Sequence, residues 1–341
     1  MNRVVKTKDR RSPLPGRRSP EVRMRFALMI EAQQGLSYAE QLAIARHAEA
    51  AGFETLFRSD HYQSFPGPEG RPTTDAWAVL AGLARETSTI GLGVLVSPVG
   101  FRTPGNLVKV VTTVDEMSGG RVEVGVGAGW HEGEHRQYGF AFPPIRDRAD
   151  HLEETLEVIH GLWEEPDGWS FKGRHVTIEN ARSYPKPVAR PGRPRPPIIV
   201  GSSGTPRSYR IAARWADEFN ATSAGPEGIA AIYEGLDEAC RSAGRSPRDL
   251  VHSAMIGVLI GRDAAELGER GRDLMIELGS DRDFEPWWAD RRQRWITGTP
   301  DEARAAVERF AAVGVERIML QDFIPRDLEH IDLMGEVLLR G

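Results

Sequence analysis

Residues 90–130 read IGLGVLVSPVGFRTPGNLVKVVTTVDEMSGGRVEVGVGAGW, and this stretch indicates the architecture of the chain most clearly. Its first part, Ile90 to Val96, is an apolar run too short to cross a membrane and is typical of a buried strand. Apolar residues at helical spacing follow from Pro104, and glycines 119 and 120 can end that helix. A second buried strand, Arg121 to Val126, runs into Gly-Ala-Gly-Trp. The stretch therefore predicts one βαβ unit with a loop at the end of each strand.

The rest of the chain repeats this alternation of short apolar strands with amphipathic helices. Segments 48–60 (AEAAGFETLFRSD) and 310–322 (FAAVGVERIMLQD) share, in register, a helix end, a glycine, a glutamate, an apolar strand and a final aspartate. About eight strands alternate with helices, which is typical of a (β/α)8 barrel or of a doubly wound sheet. We favour the barrel, because polar residues follow strand after strand instead of gathering at one switch point.

The composition fits a large core, since 40% of the residues are hydrophobic. Residues 1–23 carry eight Lys or Arg and two acidic residues, a net charge of +6. The whole chain has a net charge of −5, so the remaining residues carry a net charge of −11. This negative charge argues against nucleic-acid binding by the chain beyond residue 23. We expect residues 1–23 to be a disordered basic extension, without the apolar region of an export signal, before a domain spanning 24–341. The single Cys240 favours a reducing compartment, so we expect a cytoplasmic protein that binds no membrane.

Polar or glycine-rich residues follow several strands, where a barrel places its active site. The pair Asp60-His61 could contact a cofactor and move a proton, although a turn-capping aspartate beside an incidental histidine is an equal alternative. Glycines at 127 and 129 would let a flat ligand approach the backbone, or would only form a tight turn. Residues 201–204, followed by Arg207, could cradle a phosphate or form an ordinary strand-to-helix turn.

Residues 131–135 read HEGEH, which matches the zinc-protease pattern H-E-x-x-H. Zinc binding requires both histidines on one face of a stable helix, together with a third ligand. Here a glycine lies at the centre of the pattern and a glycine-rich turn precedes it. We therefore expect a solvated loop and no metal site, and a zinc hydrolase is kept as a minor alternative.

Taken together, these motifs resemble the bacterial-luciferase-like flavin and deazaflavin oxidoreductases. The resemblance covers about residues 24–339 and rests on SDH (59–61), LGVLVSPVGFRTP (92–104), DEMSGGRVEVGVGAGW (115–130), PPIIVGSSG (196–204) and GVERIMLQD (314–322). It implies a (β/α)8 TIM barrel with insertions, usually a homodimer. It also implies a non-prolyl cis peptide within residues 94–96, behind the central ring of the cofactor. The second and third motifs are most similar to members that use coenzyme F420.

This resemblance implies hydride transfer between the F420 ring and a small-molecule substrate, with the protein acting by positioning. The implied catalytic residue is His61. The implied cofactor-binding residues are Asp60, His61, Val94, Leu95, Val96, Ser97, Gly127, Ala128, Gly129, Gly201, Ser202, Ser203 and Gly204.

Two positions depart from the sugar-phosphate dehydrogenases of this family. Phe65 and Trp130 stand where those enzymes carry a tryptophan and an acid, so we expect both residues to contact a different substrate. An FMN-dependent monooxygenase is the main alternative, and a non-catalytic F420- or flavin-binding protein is a further one.

Overall fold

The computed structural model describes residues 23–222 and 224–340. The strands of these residues are β1 (Arg25–Ile30), β2 (Thr55–Arg58), β3 (Gly91–Pro98), β4 (Val122–Gly127), β5 (Trp169–Lys172), β6 (Thr177–Ala181), β7 (Ile198–Ser202), β8 (Glu218–Thr222), β9 (Val251–Ile260), β10 (Ile296–Gly298) and β11 (Arg317–Asp322). The predicted basic extension falls, apart from Arg23, outside the described residues.

Helices follow most of the strands and pack against the outside of the sheet. The α-helices are α1 (Tyr38–Ala51), α2 (Ala76–Glu86), α3 (Pro104–Ser118), α4 (Glu132–Gln137), α5 (Ile145–Glu164), α6 (Pro206–Trp215), α7 (Pro226–Ser242), α8 (Ala264–Glu277), α9 (Phe284–Arg294), α10 (Pro300–Ala312) and α11 (Leu328–Met334). None of the helices in the described ranges combines the length and the apolar character needed to cross a membrane.

Eight parallel strands close into a barrel in the order β1-β2-β3-β4-β7-β8-β9-β11, and β11 pairs again with β1. This closure confirms the predicted (β/α)8 barrel, because a doubly wound sheet would keep two open edges. Two features are added to the barrel. Strand β10 pairs with β9 beside the main ring, and the antiparallel hairpin β5-β6 is inserted between α5 and β7.

The predicted helix ends are confirmed where the local sequence is strongest. Ser37 and Glu40 form a capping box at the start of α1, and Thr299 and Glu302 form another before α10. The repeat between segments 48–60 and 310–322 is also present in three dimensions. In both copies a left-handed glycine follows the helix, with φ of 97° at Gly52 and 90° at Gly314.

The barrel interior is filled in layers from the amino ends of the strands. At the bottom, Arg317 pairs with Glu123 and Glu218, and all three side chains are buried. Above them lies an apolar layer of Ala27, Met29, Phe57, Leu95, Ile199 and Met319. The lower half of the barrel is therefore closed, and space is left only toward the carboxyl ends of the strands.

Candidate active site

A cavity of about 900 Å³ lies at the carboxyl ends of the barrel strands, and we call it the strand-end cavity. Its wall is formed by the ends of β1, β3, β4, β7, β8 and β11 and by the loops that follow them. The volume is in the range of pockets that enclose a whole small molecule, roughly 300–1,000 Å³. The position agrees with the catalytic face expected for a barrel.

Strands β3, β4 and β7 form a smooth part of this wall. The expected non-prolyl cis peptide is present between Leu95 and Val96, and both residues line the cavity. A Cβ atom at Gly127 would lie 2.7 Å from Val96 Cγ2, and one at Gly201 would lie 3.0 Å from Val96 Cγ1. Because Val96 fills the space beside both glycines, larger residues there would displace its side chain. The result is a low, mainly apolar surface suited to a flat ligand.

His61 lines the cavity from the loop after β2 and is held by a buried carboxylate. Its Nδ1 lies 2.9 Å and 3.1 Å from the two carboxylate oxygens of Glu134, which is buried. The backbone N–H of Tyr62 donates to the same carboxylate at 3.0 Å. Since a carboxylate accepts, the Nδ1 atom carries a proton, and Nε2 is the ring nitrogen left for a ligand.

Glu134 belongs to the HEGEH segment, and the prediction of a solvated loop there is wrong. Residues 132–137 form α4, capped by His131, whose Nδ1 accepts from the backbone N–H of Glu134 at 3.3 Å. His135 is buried and packs on Phe101, with ring centroids 5.0 Å apart. Capping and tertiary packing therefore stabilise a helix that the local sequence, with its central glycine, did not indicate.

The H-E-x-x-H pattern does not gather a metal-binding group in the described residues. Glu134 faces His61, and His135 Nδ1 lies 2.9 Å from the backbone oxygen of His131. In the described ranges, the side chains grouped closely enough to hold an ion are those of Asp147, Asp150 and His175. Arg174 pairs with both of these aspartates and Arg207 pairs with Asp150, so two guanidinium groups compensate the two carboxylates without a metal.

Asp60, predicted to bind the cofactor, is instead buried beneath the cavity wall. Ser97 Oγ donates to Asp60 at 3.0 Å, and Arg102 Nη1 donates to it at 2.5 Å. Arg102 also contacts Asp75 and donates to Tyr62 Oη at 3.0 Å. Burial lowers the pKa of Arg102, but the charge of Asp60 outweighs it and raises that pKa. The network therefore stays charged and fixes the loop that carries His61.

Three further residues of the predicted cofactor set also lie off the cavity surface. Val94 is fully buried and packs in the core between strands and helices. Ser97 accepts a hydrogen bond from Trp77 Nε1 at 2.9 Å in addition to donating to Asp60. Gly204 has a φ of 91° and belongs to the turn before α6. The pairing of β3 with β4 shifts its register between Val94 and Ser97, so the alternation of side chains is interrupted there, and Leu95 and Val96 both reach the cavity whereas Val94 and Ser97 do not.

The end of β7 brings the remaining predicted residues to the cavity. Gly201, Ser202 and Ser203 line it, together with two cations, Arg146 and Arg207. Ser202 Oγ donates to Ser208 Oγ at 3.0 Å, within the first turn of α6. A helix start with hydroxyls and guanidinium groups favours an anion. This side of the cavity is therefore the one suited to phosphate or carboxylate groups of a ligand.

Aromatic side chains form the rim of the cavity above His61. Phe65 stacks on His131 with centroids 4.6 Å apart and an interplanar angle of 6°. Trp130 meets Phe65 edge-on at 5.4 Å and is 65% exposed. The two predicted substrate residues are thus brought together at the mouth of the cavity, and the glycine turn Gly127–Gly129 lies beside them on the wall.

The family described as luciferase-like monooxygenase matches residues 23–317. The chain belongs to the luciferase-like monooxygenase family. An F420-dependent secondary alcohol dehydrogenase, solved with an F420-acetone adduct, superposes with a TM-score of 0.78 at 22% identity, covering 93% of this chain and 98% of that one. At that identity the likeness establishes the luciferase-like barrel.

Curated luciferase-like relatives use two kinds of cofactor. The F420-dependent glucose-6-phosphate dehydrogenase of Nakamurella multipartita is 32% identical over 59% of this chain and 56% of its own. The FMNH2-dependent dimethylsulfone monooxygenase of Pseudomonas putida is 28% identical over 69% of this chain and 61% of its own. The chain spans about six tenths of the length of such relatives. Family membership is thus established, and the relatives in this family are named for F420 or for FMNH2.

Proposed function

We propose that the protein is an F420-dependent oxidoreductase that transfers a hydride between the deazaflavin ring and a small organic substrate. The observation that carries the proposal is His61, held by Glu134 at the cavity beside the smooth wall of β3 and β4. A ring laid on that wall would have a proton-transfer group within the same enclosed space. The relatives named for F420 support this choice.

The residues present fit the cofactor. Val96 packed beside Gly127 gives the ring a flat surface, and Gly129, with a φ of 77°, lets the backbone turn away at its edge. Arg146 and Arg207 line the cavity and would face the phosphate and carboxylate groups of the cofactor tail, and an ion pair with Asp150 positions Arg207. When bound, F420 would supply a ring carbon that accepts or donates a hydride.

The chain itself would supply the proton chemistry. With Nδ1 engaged by Glu134, His61 Nε2 would take the proton of a substrate hydroxyl as the neighbouring carbon gives up its hydride. The product is then a carbonyl group. Glu134 would stabilise the imidazolium that forms, and in the opposite direction His61 would return the proton to the oxygen. The aromatic rim of Phe65 and Trp130 would contact the substrate at the mouth of the cavity.

An FMN-dependent monooxygenase is the second candidate, because relatives named for FMNH2 match more of the chain, 69%, at similar identity.

On the family resemblance we also propose a homodimer. The one cysteine, Cys240, is buried, which supports a place in a reducing compartment.

Titration with F420 and with FMN, followed by tryptophan fluorescence, tests the cofactor, because Trp130 lies at the mouth of the cavity. We expect saturable quenching by F420 and a much weaker response to FMN. Tight FMN binding without an F420 response would reverse the proposal.

The His61→Ala variant should keep F420 binding but lose turnover by about 10²-fold or more. Turnover equal to that of the wild type would remove His61 from the mechanism.

A further inference from the structure

A second wall of the strand-end cavity carries hydrogen-bond acceptors that no predicted cofactor contact uses. Glu31, just after β1, lines the cavity and is 7% exposed. Its carboxylate accepts from Gln33 Nε2 at 2.8 Å and from Gln321 Nε2 at 2.5 Å. Two neutral amides hold the carboxylate in place without cancelling its charge. Its remaining lone pairs are available to a ligand.

Asn220, in the middle of β8, adds a second acceptor at the end of this wall that adjoins Gly201 of β7. The residue is fully buried, and its Nδ2 donates to Ser253 Oγ at 3.0 Å. Ser253 Oγ donates its own proton to the Phe219 carbonyl at 3.3 Å, so it must accept from Asn220, which sets the amide orientation. Asn220 Oδ1 then has no hydrogen-bond donor among the described residues, although it is buried at the cavity. A ligand donor would satisfy it.

The cavity is therefore polarised between its two sides. Among the described residues that line it, Glu31 is the one carboxylate, whereas Arg146 and Arg207 lie on the side of β7 and α6. A ligand with an anionic tail is favoured on the arginine side. Beside Glu31 an anion would face a carboxylate, which repels it, and beside Asn220 it would face an amide oxygen that has no donor.

We propose that Glu31 and Asn220 form the substrate-recognition wall and select a neutral or cationic substrate that carries a hydroxyl or amino group. This inference rests on the proposed function, because it assigns the smooth wall of β3 and β4 to the cofactor. Both acceptors would receive hydrogen bonds from the substrate and orient it toward His61. Carboxylates and phosphate esters are excluded from the part of this wall beside Glu31.

Three probes with the same ring and different head groups test the wall: benzylamine, benzyl alcohol and benzoate. Their binding to the full-length protein without cofactor is measured at pH 7 by ligand-observed NMR. We expect benzylamine to bind most tightly and benzoate most weakly. The Glu31→Gln variant should weaken benzylamine about 10-fold, the scale of a lost charge-assisted hydrogen bond, and should strengthen benzoate.

The matched control is Glu308→Gln, which makes the same charge change at an exposed position of α10 and should bind all three probes like the wild type. If Asn220→Leu folds, as checked by thermal unfolding, it should weaken both donor probes. Unchanged preference in Glu31→Gln, or a wild type that prefers benzoate or binds no probe, would overturn the inference. If the wild type shows the expected preference among the probes but does not bind F420, only the proposed function is overturned.

Discussion

At the scale of single residues, the decisive contact is the one between His61 and Glu134, 73 positions apart in the chain. The sequence pointed to His61 through its place after a strand. Glu134 was not assigned a role, because its HEGEH context matched a zinc pattern whose other requirements were missing. The carboxylate accepts from His61 and from the backbone of Tyr62, so it fixes both the ring and the start of the loop.

The Glu134→Gln variant should lower kcat about 10-fold or more while leaving F420 affinity within about twofold, because the amide keeps an acceptor but loses the charge that stabilises the imidazolium. Steady-state kinetics and fluorescence titration measure the two effects separately. Glu132→Gln, on the exposed face of α4 and paired with Arg136, is the matched control and should resemble the wild type. An unchanged kcat in Glu134→Gln would show that His61 needs no charged partner.

At the scale of elements, three strands and one short helix shape the cavity. Strands β3, β4 and β7 approach closely because glycines face Val96, and α4 carries Glu134 over the end of β2. Helix α4 spans six residues, too short to be stable alone, so the packing of His135 on Phe101 stabilises it. Cavity shape thus depends on backbone approach more than on polar side chains.

The Gly127→Ala variant tests this close approach. A methyl group there would lie 2.7 Å from Val96 Cγ2, so we expect Val96 to move toward the ligand and F420 affinity to fall about 10-fold. Thermal unfolding and F420 titration give stability and binding. Gly105→Ala in α3, where a Cβ meets nothing within 4 Å, should bind F420 normally. Normal binding by Gly127→Ala would mean that the ring lies elsewhere.

At the scale of the whole molecule, buried charge joins strands from both halves of the barrel. Arg317 on β11, which is 1% exposed, donates to Glu123 on β4 at 2.7 Å and to Glu218 on β8 at 3.1 Å. Thr55 on β2 also donates to Glu123 at 2.7 Å. Burial alone would raise the pKa of Glu123, but the charge and hydrogen bonds of Arg317 lower it to about 2.

Because the folded-state pKa of Glu123 is lowered, its stabilising contribution is present above its ordinary pKa and is lost as the pH falls toward about 2. Glu123→Gln should therefore lower Tm strongly at pH 7, by roughly 5 °C or more, with a smaller difference from wild type near pH 3. Thermal unfolding between these pH values measures the difference. The control Asp301→Asn removes an exposed pair with Arg304 and should shift Tm by about 1 °C or less. A Glu123→Gln difference that stays constant with pH would contradict this linkage.

The sequence alone was sufficient for the barrel, for the strand ends that carry His61, Gly127 and Gly201, and for the helix caps at Ser37 and Thr299. These features depend on hydrophobic periodicity and on capping within a few residues, which are local and therefore readable. The cis peptide and the cofactor class came from resemblance, since no periodicity indicates either.

Only the tertiary structure showed which strand-end residues face the cavity. Asp60 and Ser97 lie beneath the cavity wall, and the HEGEH segment includes a short helix whose Glu134 holds His61. Glu31 and Asn220 line the cavity away from the smooth wall of β3 and β4. The physical reason is that side-chain direction and burial depend on partners distant in the chain. Closure of the barrel determines those partners, and no local pattern encodes them.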